Sequence, residues 1–78
     1  MTFTRRQLAS ELILQLDKGF DTERISKWAD RMYYEKIGQY EDSVIDNILL
    51  DLAAMQLDPQ FLIDENQLKE IILSLLEF

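Results

Sequence analysis

Apolar residues recur at three- and four-residue intervals in four stretches of this chain, and a capping signal stands at the head of each. The first stretch opens with Thr4 as N-cap and Gln7 at the capping-box position. Phe3 and Leu8 are spaced as a hydrophobic staple across that cap. Leu8, Ala9, Leu12, Ile13 and Leu16 form one stripe, and Lys18-Gly19 supplies a stop. In the second stretch Phe20 and Ile25 flank the cap Asp21. Ile25, Trp28, Ala29, Met32 and Tyr33 make the buried stripe, with Gly38 as terminator. The third starts at Asp42 or Ser43 and runs through Val44, Ile45, Ile48, Leu49, Leu52 and Met55 to about Leu57. Asp58-Pro59 ends it, because proline disfavours helical geometry in the residue before it. Phe61-Leu62-Ile63 reads as a short apolar linker packed on the rest. Asp64 then caps a last helix, with Gln67 at the box position, Ile63 and Leu68 as staple, and a stripe of Leu68, Ile71, Ile72, Leu75 and Leu76. Short connections between four amphipathic helices predict an all-α fold, a compact antiparallel four-helix bundle forming one domain over residues 1–78.

Some apolar residues fall off these stripes. At about 100° per residue, Leu50 points nearly away from the face of Ile48 and Leu52. Leu14 and Leu73 are displaced too, and Tyr34 lies opposite Trp28 and Met32. Either the third helix is central and covered on several sides, or these residues form a partner surface or one for weak self-association. Trp28 reads as a core anchor.

Composition narrows the chemistry. The 78 residues include no cysteine and no histidine. The usual zinc ligands, thiol nucleophiles and imidazole bases are therefore missing, and neither catalysis nor a cofactor is expected. Glu11 and Asp17 interrupt the apolar run after Arg5 and Arg6, so the start does not read as a signal peptide. No apolar run reaches the length of about 18 residues that spans a membrane, and the expected location is cytoplasmic.

Charge is unevenly divided. Residues 1–38 hold seven basic and six acidic side chains, whereas residues 39–78 hold nine acids against the single base Lys69. Such an excess attracts cationic partners. Asp42 and Asp46 lie four apart on one side of the third helix, Asp51 flanks its stripe, and Asp58, Asp64 and Glu65 border the following loop. Carboxylates spread in this way suit recognition of lysine and arginine better than metal chelation, and no segment has the calcium-loop pattern. Arg24, Lys27 and Arg31 share a face of the second helix, yet a net charge of −7 argues against nucleic acid. Glu23 and Lys27 have the spacing of an intrahelical pair.

The order of features resembles small bacterial immunity proteins of the colicin D immunity family. The residues that carry the likeness are Phe20-Asp21-Thr22-Glu23-Arg24-Ile25 entering a helix with Met32-Tyr33-Tyr34, then Ile48-Leu49-Leu50-Asp51-Leu52-Ala53-Ala54-Met55. Ile63-Asp64-Glu65-Asn66-Gln67-Leu68 and Ile72-Leu73-Ser74-Leu75-Leu76-Glu77-Phe78 complete it. The likeness is one of pattern and charge and covers most residues after Gly19. It implies a helical bundle that blocks the active-site cleft of a basic toxin nuclease, tRNase-like in type, with carboxylates where substrate phosphates would bind. The charge map then nominates Asp42, Asp46, Asp51, Asp58 and Glu65 as contacts, with Leu50 and Tyr34 as apolar anchors.

Asp42-Ser43-Val44 at a helix start is also similar to the Asp-Ser-Leu of acyl carrier proteins, a likeness that implies phosphopantetheine on Ser43. The chain departs from that pattern in three places. The glycine two residues before the motif is replaced, a full helix with Trp28 stands where carriers have a long loop, and one helix follows Pro59 where they have two. A small acidic adaptor or regulator shares every feature of the first reading except the toxin.

Overall fold

The computed structural model describes residues 2–77 and consists of four α-helices with two single-turn 3-10 segments. Helix α1 spans Arg5–Asp17, α2 Thr22–Lys36, α3 Ser43–Ala53 and α4 Glu65–Leu76. The 3-10 turns are Ala54–Gln56 and Pro59–Phe61. The predicted caps are present. Thr4 Oγ1 accepts from the Gln7 amide while Gln7 Oε1 accepts from the Thr4 amide, and Asp64 and Gln67 make the same reciprocal pair. Asp21 accepts from the Arg24 amide. At α3 the cap is Asp42, which accepts from the Val44 amide at 3.0 Å.

Every helix contributes to one core. Leu8 and Leu12, Ile25 and Ala29, Ile45, Leu49 and Leu52, and Leu68 and Leu75 are almost wholly inaccessible, and Trp28 is buried with them. Helix α2 packs chiefly on α3, and α1 on α4. Gln56 Nε2, just past α3, reaches Ser26 O near the start of α2, and Leu75 at the end of α4 lies beside Thr4 and Arg5. These are the contacts an antiparallel arrangement requires. The radius of gyration, 11.5 Å, equals the value of about 11.5 Å expected for a compact chain of this length.

Several expectations need correction. The α-helical part of α3 ends at Ala53, and the last turn tightens to 3-10 because Pro59 holds Asp58 in an extended conformation, with φ −158° and ψ 135°. The linker does not lie buried on the bundle. Phe61 and Leu62 are about half exposed, and only Ile63 packs against the core. Ile13 and Leu76, placed on core stripes by spacing, are exposed, while the polar Gln15 is buried in the α1 stripe. Its position follows from periodicity, since it lies one turn beyond Leu12. Its two oxygens accept from Arg24, whose Nε donates to Gln15 Oε1 at 3.2 Å and whose Nη2 donates to Gln15 O at 2.7 Å. Covering of α3 on several sides also fails to account for the off-stripe residues, because Leu14, Leu50 and Leu73 are all exposed.

One long-range feature organises the N-terminal end. Phe3 forms a parallel bridge with Tyr40: its amide donates to Gln39 O at 2.6 Å, and its carbonyl accepts from the Glu41 amide at 2.9 Å. The segment before α1 is thereby fastened to the loop between α2 and α3. Gly38 lets that loop turn, with φ +80°, a region side-chain-bearing residues rarely adopt. No helix among the described residues is long and apolar enough to cross a membrane.

Candidate partner-binding surface

Antiparallel packing of α2 on α3 leaves an outer seam, and that seam holds a groove of about 480 Å³. Asp30 lines it from α2. Leu50, Ala53, Ala54, Gln56 and Leu57 line it from α3 and the 3-10 turn that follows. Tyr34 stands one turn beyond Asp30 on α2, and Asp46 one turn before Leu50 on α3. In antiparallel neighbours these two steps run in the same direction along the seam.

An aromatic relay links those two positions. The Tyr40 hydroxyl donates to Tyr33 O at 2.7 Å, and the Tyr33 and Tyr40 rings lie 6.3 Å apart. Tyr34 meets Tyr33 edge-to-face at 5.7 Å. Desolvation, the negative charge of Asp46 and the neighbouring Tyr33 together raise the Tyr40 phenol above its ordinary range. Asp46 is therefore felt at the same aromatic cluster on which Tyr34 rests. Tyr34 itself is 70% exposed, Leu50 44% and Leu57 82%. Single exposed apolar residues are ordinary, but Leu50 and Leu57 line one groove, with Tyr34 one turn past Asp30 on its α2 side.

The acids nominated from sequence divide into distinct groups. Asp42 is engaged internally. Besides capping α3, its Oδ2 lies 2.6 Å from Arg5 Nε, with both side chains partly shielded. Desolvation works against its charge, but the Arg5 hydrogen bond, the Val44 amide, the guanidinium charge and the Ile45 amide outweigh it and hold the carboxyl below the usual range. As a contact for a cationic partner Asp42 is thus already occupied, a correction to the charge map. Asp58 accepts from the Gln60 amide and caps the Pro59–Phe61 turn. Glu65 pairs with Lys69 at 3.3 Å on an exposed helix face. Both lie at the α3–α4 connection, away from the Asp42 end.

Asp46 and Asp51 are separated by about 140° around α3. Asp46 lies on the flank of Leu50, whereas Asp51 points to the other side. Among the described residues neither has an ion-pair partner, nor has Asp30. Leu50 thus lines the groove, Tyr34 and Asp46 lie within one helical turn of its lining, and Asp51, Asp58 and Glu65 lie off it. Asp30, Ala53, Ala54 and Leu57 were not nominated as contacts from the sequence. A helical wheel of α2 gives the signal for Asp30, which shares a flank with Tyr34.

The basic trio does not act together either. Arg24 closes the C-terminal end of α1 through Gln15 O and Gly19 O, and Lys27 pairs with Glu23 at 3.0 Å as the spacing predicts. No group of three or more carboxylates suited to a metal ion occurs among the described residues. The seam can therefore offer shape, apolar area and negative charge, which is the chemistry of protein recognition. Comparison of the chain with protein-family models, with curated proteins and with solved structures finds no match.

Proposed function

We propose that this chain is an inhibitory binding protein of the immunity type, which neutralises a cationic toxin nuclease by covering its active-site cleft. One observation carries the reading: exposed Leu50 and Leu57 line the α2–α3 groove with Asp30, and Tyr34 and Asp46 stand one helical turn from that lining, the two carboxylates having no cationic partner among the described residues. Apolar anchors set the lifetime of a complex, while opposite charge speeds encounter. The net charge of −7 supplies the long-range attraction. No cofactor takes part.

The test starts at the neighbouring gene, where a toxin open reading frame supports immunity, and continues by titrating the purified chain into that toxin's nuclease domain, reading tRNA cleavage together with complex formation by gel filtration. Stoichiometric loss of cleavage supports immunity. A complex that leaves cleavage unchanged makes the chain an adaptor, and absence of any complex at low salt removes the proposal.

Ser43 keeps a second reading in view. It is the first residue of α3 and is exposed, the placement that modification by a phosphopantetheinyl transferase would need.

A further inference from the structure

We infer that the α2–α3 groove receives an amphipathic helix of the partner, apolar on one face and carrying lysine or arginine along both flanks. The inference deepens the proposed function and rests on its premise that the partner is basic. Three features of the groove lead to it.

The first is the floor. Leu50, Ala53, Ala54 and Leu57 present apolar surface in which the two alanines keep the relief low. Helix axes approach most closely where small side chains meet, so a third helix can settle between α2 and α3 as it would between neighbours in a bundle. The reach from Asp46 to Leu57 is about 16 Å, or about three helical turns. Tyr34 lies toward one end of that reach and Leu57 at the other, and both are exposed enough to close over an inserted side chain.

The second is the distribution of charge. Asp30 lines the groove from α2, and Asp46 stands on α3 one turn before Leu50, at the groove's end. A ligand lying between them meets a carboxylate on each side, so the matching helix carries cations on both flanks of its apolar stripe. A second copy of this chain is a poor occupant, since each copy carries −7 and the banks are themselves acidic. Nucleic acid is repelled for the same reason.

The third is what the groove lacks. Its walls are helices whose backbone amides and carbonyls are bonded within the helix, so an extended peptide finds no ladder to join. Recognition must come from side chains entering between helices, and an amphipathic helix presents them at the required spacing of three and four residues.

The probe is a synthetic peptide of about 18 residues, long enough for about five helical turns, with a leucine stripe flanked by lysines. A scrambled peptide of identical composition serves as control. Binding is followed on the full chain by amide chemical shifts. The expected result is saturable shifts at Tyr34, Leu50, Ala53 and Leu57 with the amphipathic peptide and not the scrambled one. Leu50→Lys weakens binding by about tenfold or more, as loss of an anchor does. Asp46→Asn weakens it more than Asp51→Asn, which removes the same charge from the other side of α3. Leu50 and Asp51 are exposed and Asp46 is half-buried, and an unchanged spectrum outside the seam reports an intact fold. Equal binding of the scrambled peptide, shifts dispersed over every acidic residue, or equal loss from Asp46→Asn and Asp51→Asn overturns the inference. So does inhibition of the nuclease by Leu50→Lys at wild-type strength, an outcome that leaves the immunity reading standing. Saturable binding in the groove with no inhibition of the nuclease upholds the groove and removes immunity instead.

Discussion

Arg5 and Asp42, separated by 37 positions in the chain, are joined by a 2.6 Å contact between Nε and Oδ2. The same loop delivers the Glu41 carboxylate to the Arg5 backbone amide at 3.0 Å. Two helix starts, those of α1 and α3, are thereby held side by side. Their carboxylates meet amide groups that the helices themselves leave unsatisfied. An acid counted from sequence as available to a partner is in fact part of the framework.

Stability should register this through pH. A carboxyl held below its ordinary range in the folded state contributes above the unfolded pKa and loses that contribution as pH falls through the folded pKa. Asp42→Asn keeps a side-chain oxygen for the cap but removes the charge facing Arg5. The gap in Tm between wild type and Asp42→Asn is expected to be widest near neutral pH and to close in acid. A gap constant from pH 7 to about pH 2 contradicts this linkage.

Leu49 and Leu50 are adjacent and chemically identical, yet one is sealed in the core and the other lies on the seam. Leu49→Ala is expected to cost about 3 kcal/mol, the usual range for a core leucine truncation. Leu50→Ala should stay within about 0.5 kcal/mol of wild type. Urea unfolding of the two variants checks the orientation of α3 directly.

Gly38 turns the loop at φ +80°, and a Cβ added there would meet nothing within 4 Å. The penalty for Gly38→Ala is therefore confined to the backbone and should be about 1–2 kcal/mol. Gly38→Asn should recover part of it, because asparagine tolerates left-handed geometry. Equal stability of all three proteins in denaturant melts would show that the turn does not need this conformation.

Charge reversal separates the two flanks of α3 in the proposed complex. Asp46→Lys is expected to weaken binding of the basic nuclease by about tenfold or more. Asp51→Lys should change mainly the salt dependence of the on-rate. Calorimetry and stopped-flow association at two salt concentrations distinguish the effects. Equal losses in dissociation rate would place both residues in contact.

Intact mass after incubation with coenzyme A and a phosphopantetheinyl transferase decides the reading of Ser43. No gain in mass is expected. Addition of one phosphopantetheine, lost in Ser43→Ala, would make the chain a carrier.

Local devices were legible because they act across a few residues. Thr4 with Gln7, Asp21 with Arg24 and Asp64 with Gln67 each place a side chain on a backbone amide three positions away, so spacing suffices to see them. The stripes through Leu8, Ile25, Ile45 and Leu68 identify the core for the same reason. Ile13 and Leu76 depart from this rule. Both sit toward the edge of a stripe, where exposure depends on how close the next helix comes.

The pattern of the chain by itself determined four helices, their caps and the residues at the centre of their packing, since those follow from hydrogen bonds and periodicity within a helix. Only the tertiary structure decided which carboxylates remain for a partner. Asp42 is taken by Arg5, Asp51 lies around the helix from Asp46, and Asp30 joins Leu50 across the seam. Charge is counted along the sequence, but it is neutralised or combined through space, by residues that folding brings together from distant parts of the chain.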